Sequence, residues 1–189
     1  MSKRKLISFL LALTLLFALA SCGSGSSGGS EPPDPSQTET SSPSESAPAA
    51  DVDLQAFYES LLVDDPESED YFYPDTPVEG DNLTAYYPGL EDIATKQLLI
   101  YQPMMSAVAC EIALVEVENA DDVQKVKDIF QARIDAQVGT DDAPGGAWYP
   151  ASIEGWKTGS RIASKGNYVM MVAFPDGADQ IAADFNQQF

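Results

Sequence analysis

The sequence predicts an α+β domain: a two-layer sandwich whose antiparallel sheet has about four strands, in two hairpins, with helices on one face. Three observations predict it. Residues 161–165 and 168–174 are strand-like runs separated by Gly166-Asn167, a two-residue connection that suits a tight hairpin turn. Residues 96–101 and 107–117 make a second pair of strand-like runs, turned around Gln102-Pro103. Between the pairs, "NADDVQKVKDIFQARIDAQVG" repeats apolar residues at helical spacing, so that Val123, Val126, Ile129, Phe130 and Ile134 draw one stripe. A doubly wound parallel sheet does not fit, because the gap between Lys165 and Tyr168 is too short for a crossover.

The elements follow in order. Asp51 is placed to cap a first helix in which Leu54, Phe57, Tyr58, Leu61 and Leu62 share a face. Residues 64–80 carry three prolines and read as irregular. A short helix over 81–87 closes at Pro88-Gly89, and the first strand pair follows. Asn119 or Asp121 can cap the central helix, and Gly139 ends it. After the loop "TDDAPGGAWYP", one helical turn is expected near 150–157, then the second strand pair. Asp176 starts a final helix with Ala178, Ile181, Phe185 and Phe189 along one side.

Ahead of this domain, which spans 51–189, lie two segments of different character. Lys3, Arg4 and Lys5 precede residues 6–20, an apolar run broken only by Ser8 and Thr14. Fifteen helical residues reach roughly 22 Å, short of a bilayer core, so the run reads as a signal segment and not a membrane span. Leu19-Ala20-Ser21-Cys22 resembles the lipobox of bacterial lipoproteins. That resemblance implies cleavage after residue 21, and on Cys22 a lipid of two or more acyl chains such as palmitate, enough for stable anchoring. The alternative is an ordinary secretory signal followed by an incidental cysteine. Residues 22–50 then form a Gly/Ser/Pro tether without a large apolar side chain, which cannot bury enough surface to order itself. The expected location is the cell membrane, lipid-anchored and facing the extracellular side.

Charge and missing residues narrow the function classes. The chain has net charge −20, and loss of residues 1–21 would leave 7 basic against 30 acidic residues. Such a surface repels nucleic acid and anionic headgroups; it favours cations and basic partners, or simply keeps an exported protein soluble. The chain has no histidine, which removes the usual general base, Ser-His-Asp and Cys-His arrangements, and histidine-based zinc sites. With Cys22 lipidated, Cys110 is the remaining thiol, and its apolar run marks a small core residue more readily than a nucleophile. No phosphate-loop pattern links the glycines at 139, 145, 146 and 155.

From about residue 83 to 189, the stretches "ACEIALVEV", "VKDIFQARIDAQ", "WYP" and "KGNYVMMVAF" recur in the order of a known family. The chain resembles the bacterial lipoproteins catalogued as domain of unknown function 4358. The resemblance implies the fold and the surface location. It implies no activity and carries no functional residues.

Candidate sites come from the residues themselves. Alternation puts Glu111 on one face with Ala109, Ala113, Val115 and Val117. Packed against helices, its carboxyl would be desolvated, its pKa raised and fit for acid–base work; in the opposite register it is a solvated strand glutamate. Asp64, Asp65, Glu67 and Asp70, with Glu69, offer hard oxygen ligands of the kind calcium prefers, without a calcium-loop signature. Their plain alternative is a solvated acidic loop, and no other cofactor is expected. Tyr71, Tyr73, Trp148, Tyr149 and Trp156 cluster in sequence near acids, as in a groove that stacks on sugars, or staple loops to the core. Together these features point to a membrane-anchored binding or interaction module without catalysis, its envelope protein or glycan partner unspecified. Two alternatives stand beside it: a carboxylate-dependent hydrolase of wall polysaccharide, and a structural or assembly partner of another membrane protein.

Overall fold

A computed structural model describes residues 51–105 and 107–189. The expected signal segment 1–21, Cys22 and the tether 22–50 lie outside the described residues. The chain runs α1 (Leu54–Leu61), β1 (Thr76–Pro77), α2 (Asp81–Tyr86), β2 (Thr95–Gln102), β3 (Glu111–Val117), α3 (Val123–Val138), α4 (Pro150–Gly159), β4 (Ser160–Lys165), β5 (Tyr168–Ala173) and α5 (Ala178–Gln187). The five strands form one sheet in the order β1-β2-β3-β5-β4, and every pairing is antiparallel.

The α+β class and both hairpins are as the sequence predicts; the fifth strand is the short edge piece β1. Helices, however, cover both faces of the sheet. The central strands explain why. All seven residues of β3, "EIALVEV", and all six of β5, "YVMMVA", are buried. Strands apolar on both sides need cover on both sides. Ala113, Val115, Val117, Val169 and Met171 meet Val126, Phe130 and Ile134 of α3 and Trp156 of α4, with Leu83 and Tyr86 of α2 alongside. Cys110, Ile112, Leu114, Met170 and Val172 meet Leu54, Phe57 and Tyr58 of α1 and Ile181 and Phe185 of α5.

Element ends follow local chemistry. Asp53, not Asp51, caps α1: its Oδ1 accepts from the N–H groups of Gln55 and Ala56 at 3.0 and 3.1 Å. Asn119 Oδ1 accepts from Asp121 N–H at 3.0 Å and opens a 3-10 turn over Ala120–Asp122 that leads into α3. Gly166 takes φ +54° in the β4–β5 turn, a left-handed conformation that suits glycine. Helix α4 is longer than the single turn expected, because Pro150 pre-sets its first residue and Trp156 anchors it in the core.

β3 starts at Glu111, four residues later than the pattern 107–117 suggests. β2 ends at Gln102, where Pro103 has no N–H to continue a ladder. The connection therefore opens out, and it leaves Met104 and Met105 at 83% and 75% exposure. At the other end of the sheet, residues 52–54 are pinned down. Tyr168 Oη accepts from Val52 N–H at 3.2 Å, and Gln97 accepts from Leu54 N–H at 2.9 Å while donating to Val52 O and Glu116 at 2.8 Å.

Candidate functional site

A cleft of about 530 Å³ lies at the β2–β3 connection end of the sheet. Three stretches of chain build it. The connection supplies Met104, Met105, Val108 and Cys110; the segment after β5 supplies Phe174, Pro175 and Asp176; the loop before β1 supplies Glu69, Tyr71, Tyr73 and Asp75. Ala151, at the start of α4, closes one side. Helix α4 approaches closely here: a Cβ on Gly155 would sit 3.0 Å from both the Ala109 side chain and that of Pro175. Most of the wall is hydrocarbon and thioether, and among the described residues the charged side chains on it are three exposed carboxylates.

Of the aromatic residues expected at a rim, Tyr71 and Tyr73 line this cleft, their rings stacked with centroids 6.5 Å apart. Trp148 and Tyr149 are exposed and lie just before Ala151 in the chain, but they do not line it. Trp156 does not line it either: it is buried in the core against α3, as an apolar ring on the inner face of α4 should be. Met104, Met105 and Val108 were not anticipated. Their signal was three apolar residues in "PMMSAV", just after a proline that ends the strand.

Glu111 is buried, not solvated, and faces the helices on the side that alternation gives. Its carboxylate is fully engaged. Arg133 of α3 donates from Nε to Oε1 at 2.9 Å and from Nη2 to Oε2 at 2.8 Å, and the Tyr87 hydroxyl also donates to Oε1. Three rings enclose the guanidinium, with its carbon 4.6, 5.6 and 5.5 Å from the centroids of Tyr86, Tyr87 and Trp156. Burial drives the Tyr87 hydroxyl well above the ordinary tyrosine value, and the Glu111 charge adds to this. Desolvation is the largest influence on the Arg133 cation and works against it, but the hydrogen bonds to Glu111 and the Glu111 charge together outweigh it and raise the pKa. A carboxylate with bidentate guanidinium and phenol partners is a brace, and Glu111 does not line the 530 Å³ cleft. Arg133 and Tyr87 are the partners sequence reading missed.

The Cys110 thiol faces the cleft, where burial pushes it up to about 11, so it stays protonated at neutral pH. In the acidic loop, Asp65 Oδ1 accepts from Glu67 N–H at 3.0 Å and Ser68 Oγ from Asp70 N–H at 3.2 Å. These side chains shape the turns of their own loop. Among the described residues no three His, Cys, Asp or Glu side chains gather to hold a metal ion, and that holds for Asp64, Asp65, Glu67 and Asp70. Among them, too, no helix is long and apolar enough to cross a membrane.

Residues 68–174, more than half of the chain, match the domain of unknown function DUF4358. The chain belongs to that family. The match begins before the residue-83 boundary expected from the motifs and stops at Phe174, ahead of α5. No curated protein and no solved structure matches the chain.

Proposed function

We propose that the chain is a membrane-anchored surface lipoprotein whose 51–189 domain is a non-catalytic binding module of the envelope, taking its ligand in the cleft. The observation that carries the reading is the cleft itself. It is concave and mostly apolar, has a few polar groups at its edge, and gathers five of the exposed large apolar side chains of the domain: Tyr71, Tyr73, Met104, Met105 and Val108. Such side chains stay exposed at a cost in hydration, and their convergence on one cavity favours a binding role. Three facts weigh against catalysis. The chain has no histidine, Glu111 is held by Arg133 and Tyr87 away from the cleft, and the thiol facing the cleft is kept neutral.

The test is a thermal-shift panel on the full chain in detergent, with muropeptides, neutral saccharides and synthetic peptides. A ligand present at about 100 times its dissociation constant adds about 2.7 kcal/mol, a rise of several degrees for a domain of this size. We expect at least one ligand to raise the melting temperature of the wild type and not that of Met104→Ser/Met105→Ser. A shift that survives this double change would place the binding elsewhere and overturn the reading. The anchor is tested alongside, since labelled palmitate should be incorporated by the wild type and not by Cys22→Ala.

A further inference from the structure

Resting on that reading, we propose that the occupant of the cleft is a polypeptide segment with apolar anchor residues flanked by lysine or arginine. The wall and the edge each specify half of this chemistry. Met104 and Met105 present unbranched thioether chains that repack around different apolar side chains, which suits an anchor pocket for a peptide. The edge carries three carboxylates from two stretches of chain: Glu69 and Asp75 from the loop before β1 and Asp176 from the segment after β5. Among the described residues no lysine or arginine lines the cleft, and Arg133, which lines a small pocket of about 40 Å³ beside it, is already neutralised by Glu111. The cleft edge is thus unopposed negative charge, and the stacked faces of Tyr71 and Tyr73 add attraction for a cation.

Other occupants fit less well. A sugar is usually held by amide, guanidinium and carboxylate groups around its hydroxyls, and among the described residues the lining has no amide or guanidinium side chain. An anionic wall polymer is repelled. A second copy of this domain brings 26 acidic against 7 basic residues over 51–189, so the charges oppose pairing of two clefts.

The test is fluorescence anisotropy of the full chain in detergent with short labelled peptides at low and physiological salt. One peptide has an apolar core flanked by lysines, a second has glutamates for the lysines, and a third has serines for the core; a labelled chitin-derived oligosaccharide is the fourth probe. We expect only the first peptide to bind, with an affinity that falls as salt rises. Glu69→Gln/Asp75→Asn/Asp176→Asn should weaken it about tenfold, since each exposed pair is worth a few-fold. Met104→Ser/Met105→Ser should weaken it at least tenfold, both variants keeping the wild-type melting temperature. Equal binding of the glutamate peptide, or unchanged affinity after the triple neutralisation, would overturn the proposal. If the oligosaccharide alone binds, and Met104→Ser/Met105→Ser abolishes it, the cationic partner is wrong while the binding module stands. If neither peptides nor oligosaccharide bind, the proposal falls, and with it the reading beneath it once the panel is also silent.

Discussion

On the face of the sheet covered by α2, α3 and α4, a buried carboxylate meets a buried guanidinium; on the face covered by α1 and α5, the interior is almost wholly hydrocarbon and ring. The first face holds Glu111, Arg133 and Tyr87 in one network, with no buried side-chain nitrogen or oxygen left unpaired among the described residues. The second holds Phe57 edge-on to Phe185 at 5.9 Å and Phe72 against Phe174 at 4.9 Å. Its own glutamate, Glu116, sits at the other end of β3, where Lys96 donates to it from a half-exposed position at 2.9 Å. The two faces are thus held by different physics. An apolar face is sensitive to volume and indifferent to which neighbour supplies it. A buried ion pair is sensitive to the presence of its partner, because a lone buried charge is far costlier than no charge at all.

That difference can be broken experimentally, beginning with the largest effect. Arg133→Met or Glu111→Gln alone should cost about 3–5 kcal/mol in urea unfolding, because each leaves the other group buried without its counterpart. Glu111→Leu/Arg133→Met/Tyr87→Phe removes all three polar groups and should recover most of that loss. Additive losses across the three sites would show that the face is held by packing alone. On the opposite face, Leu114→Ala should cost about 2–5 kcal/mol and Met170→Leu under about 1.5, in line with the volume removed. No second substitution should rescue Leu114→Ala as the apolar triple rescues Arg133→Met.

A pH titration samples both faces together. Burial raises the Tyr58 hydroxyl, which donates to Pro74 O at 2.8 Å, to about 12, and holds the Tyr87 hydroxyl well above its ordinary value. Unfolded tyrosine ionises near 10. The stability these groups contribute is therefore complete below about pH 10 and is lost as pH climbs past it. We expect the melting temperature to fall above pH 10, less steeply in Tyr58→Phe and Tyr87→Phe. An unchanged slope in both would mean that neither hydroxyl is held neutral by the fold.

The hairpins and the central helix were legible because local chemistry decides them: Gly166-Asn167 for one turn, Pro103 for the other, and a stripe from Val126 to Ile134 on α3. The second layer of helices was legible too, but in a different signal. "YVMMVA" is apolar at consecutive positions, the mark of a strand buried on both faces, whereas reading by alternation assumes one wet side. Arg133 escaped because a single basic residue beside an apolar stripe resembles a snorkelling surface side chain; only the register of α3 on β3 brings it to Glu111. The cleft was half legible. Its aromatic edge was visible in sequence, but Met104, Met105 and Asp176 join Tyr71 only through the folding of three distant stretches. Trp156 shows the converse: nearness in sequence to Trp148 and Tyr149 says little when a helix of ten residues turns one of them inward.

The pins at residues 52–54 give the domain two poles. The chain joins the sheet where Glu116 pairs with Tyr168, and the cleft opens where Glu111 pairs with Ala173, a length of β3 away, about 20 Å. A pull applied to the chain at residue 52 would be taken up first by Gln97 and Tyr168. It would reach Met104 only through the full length of the central strands.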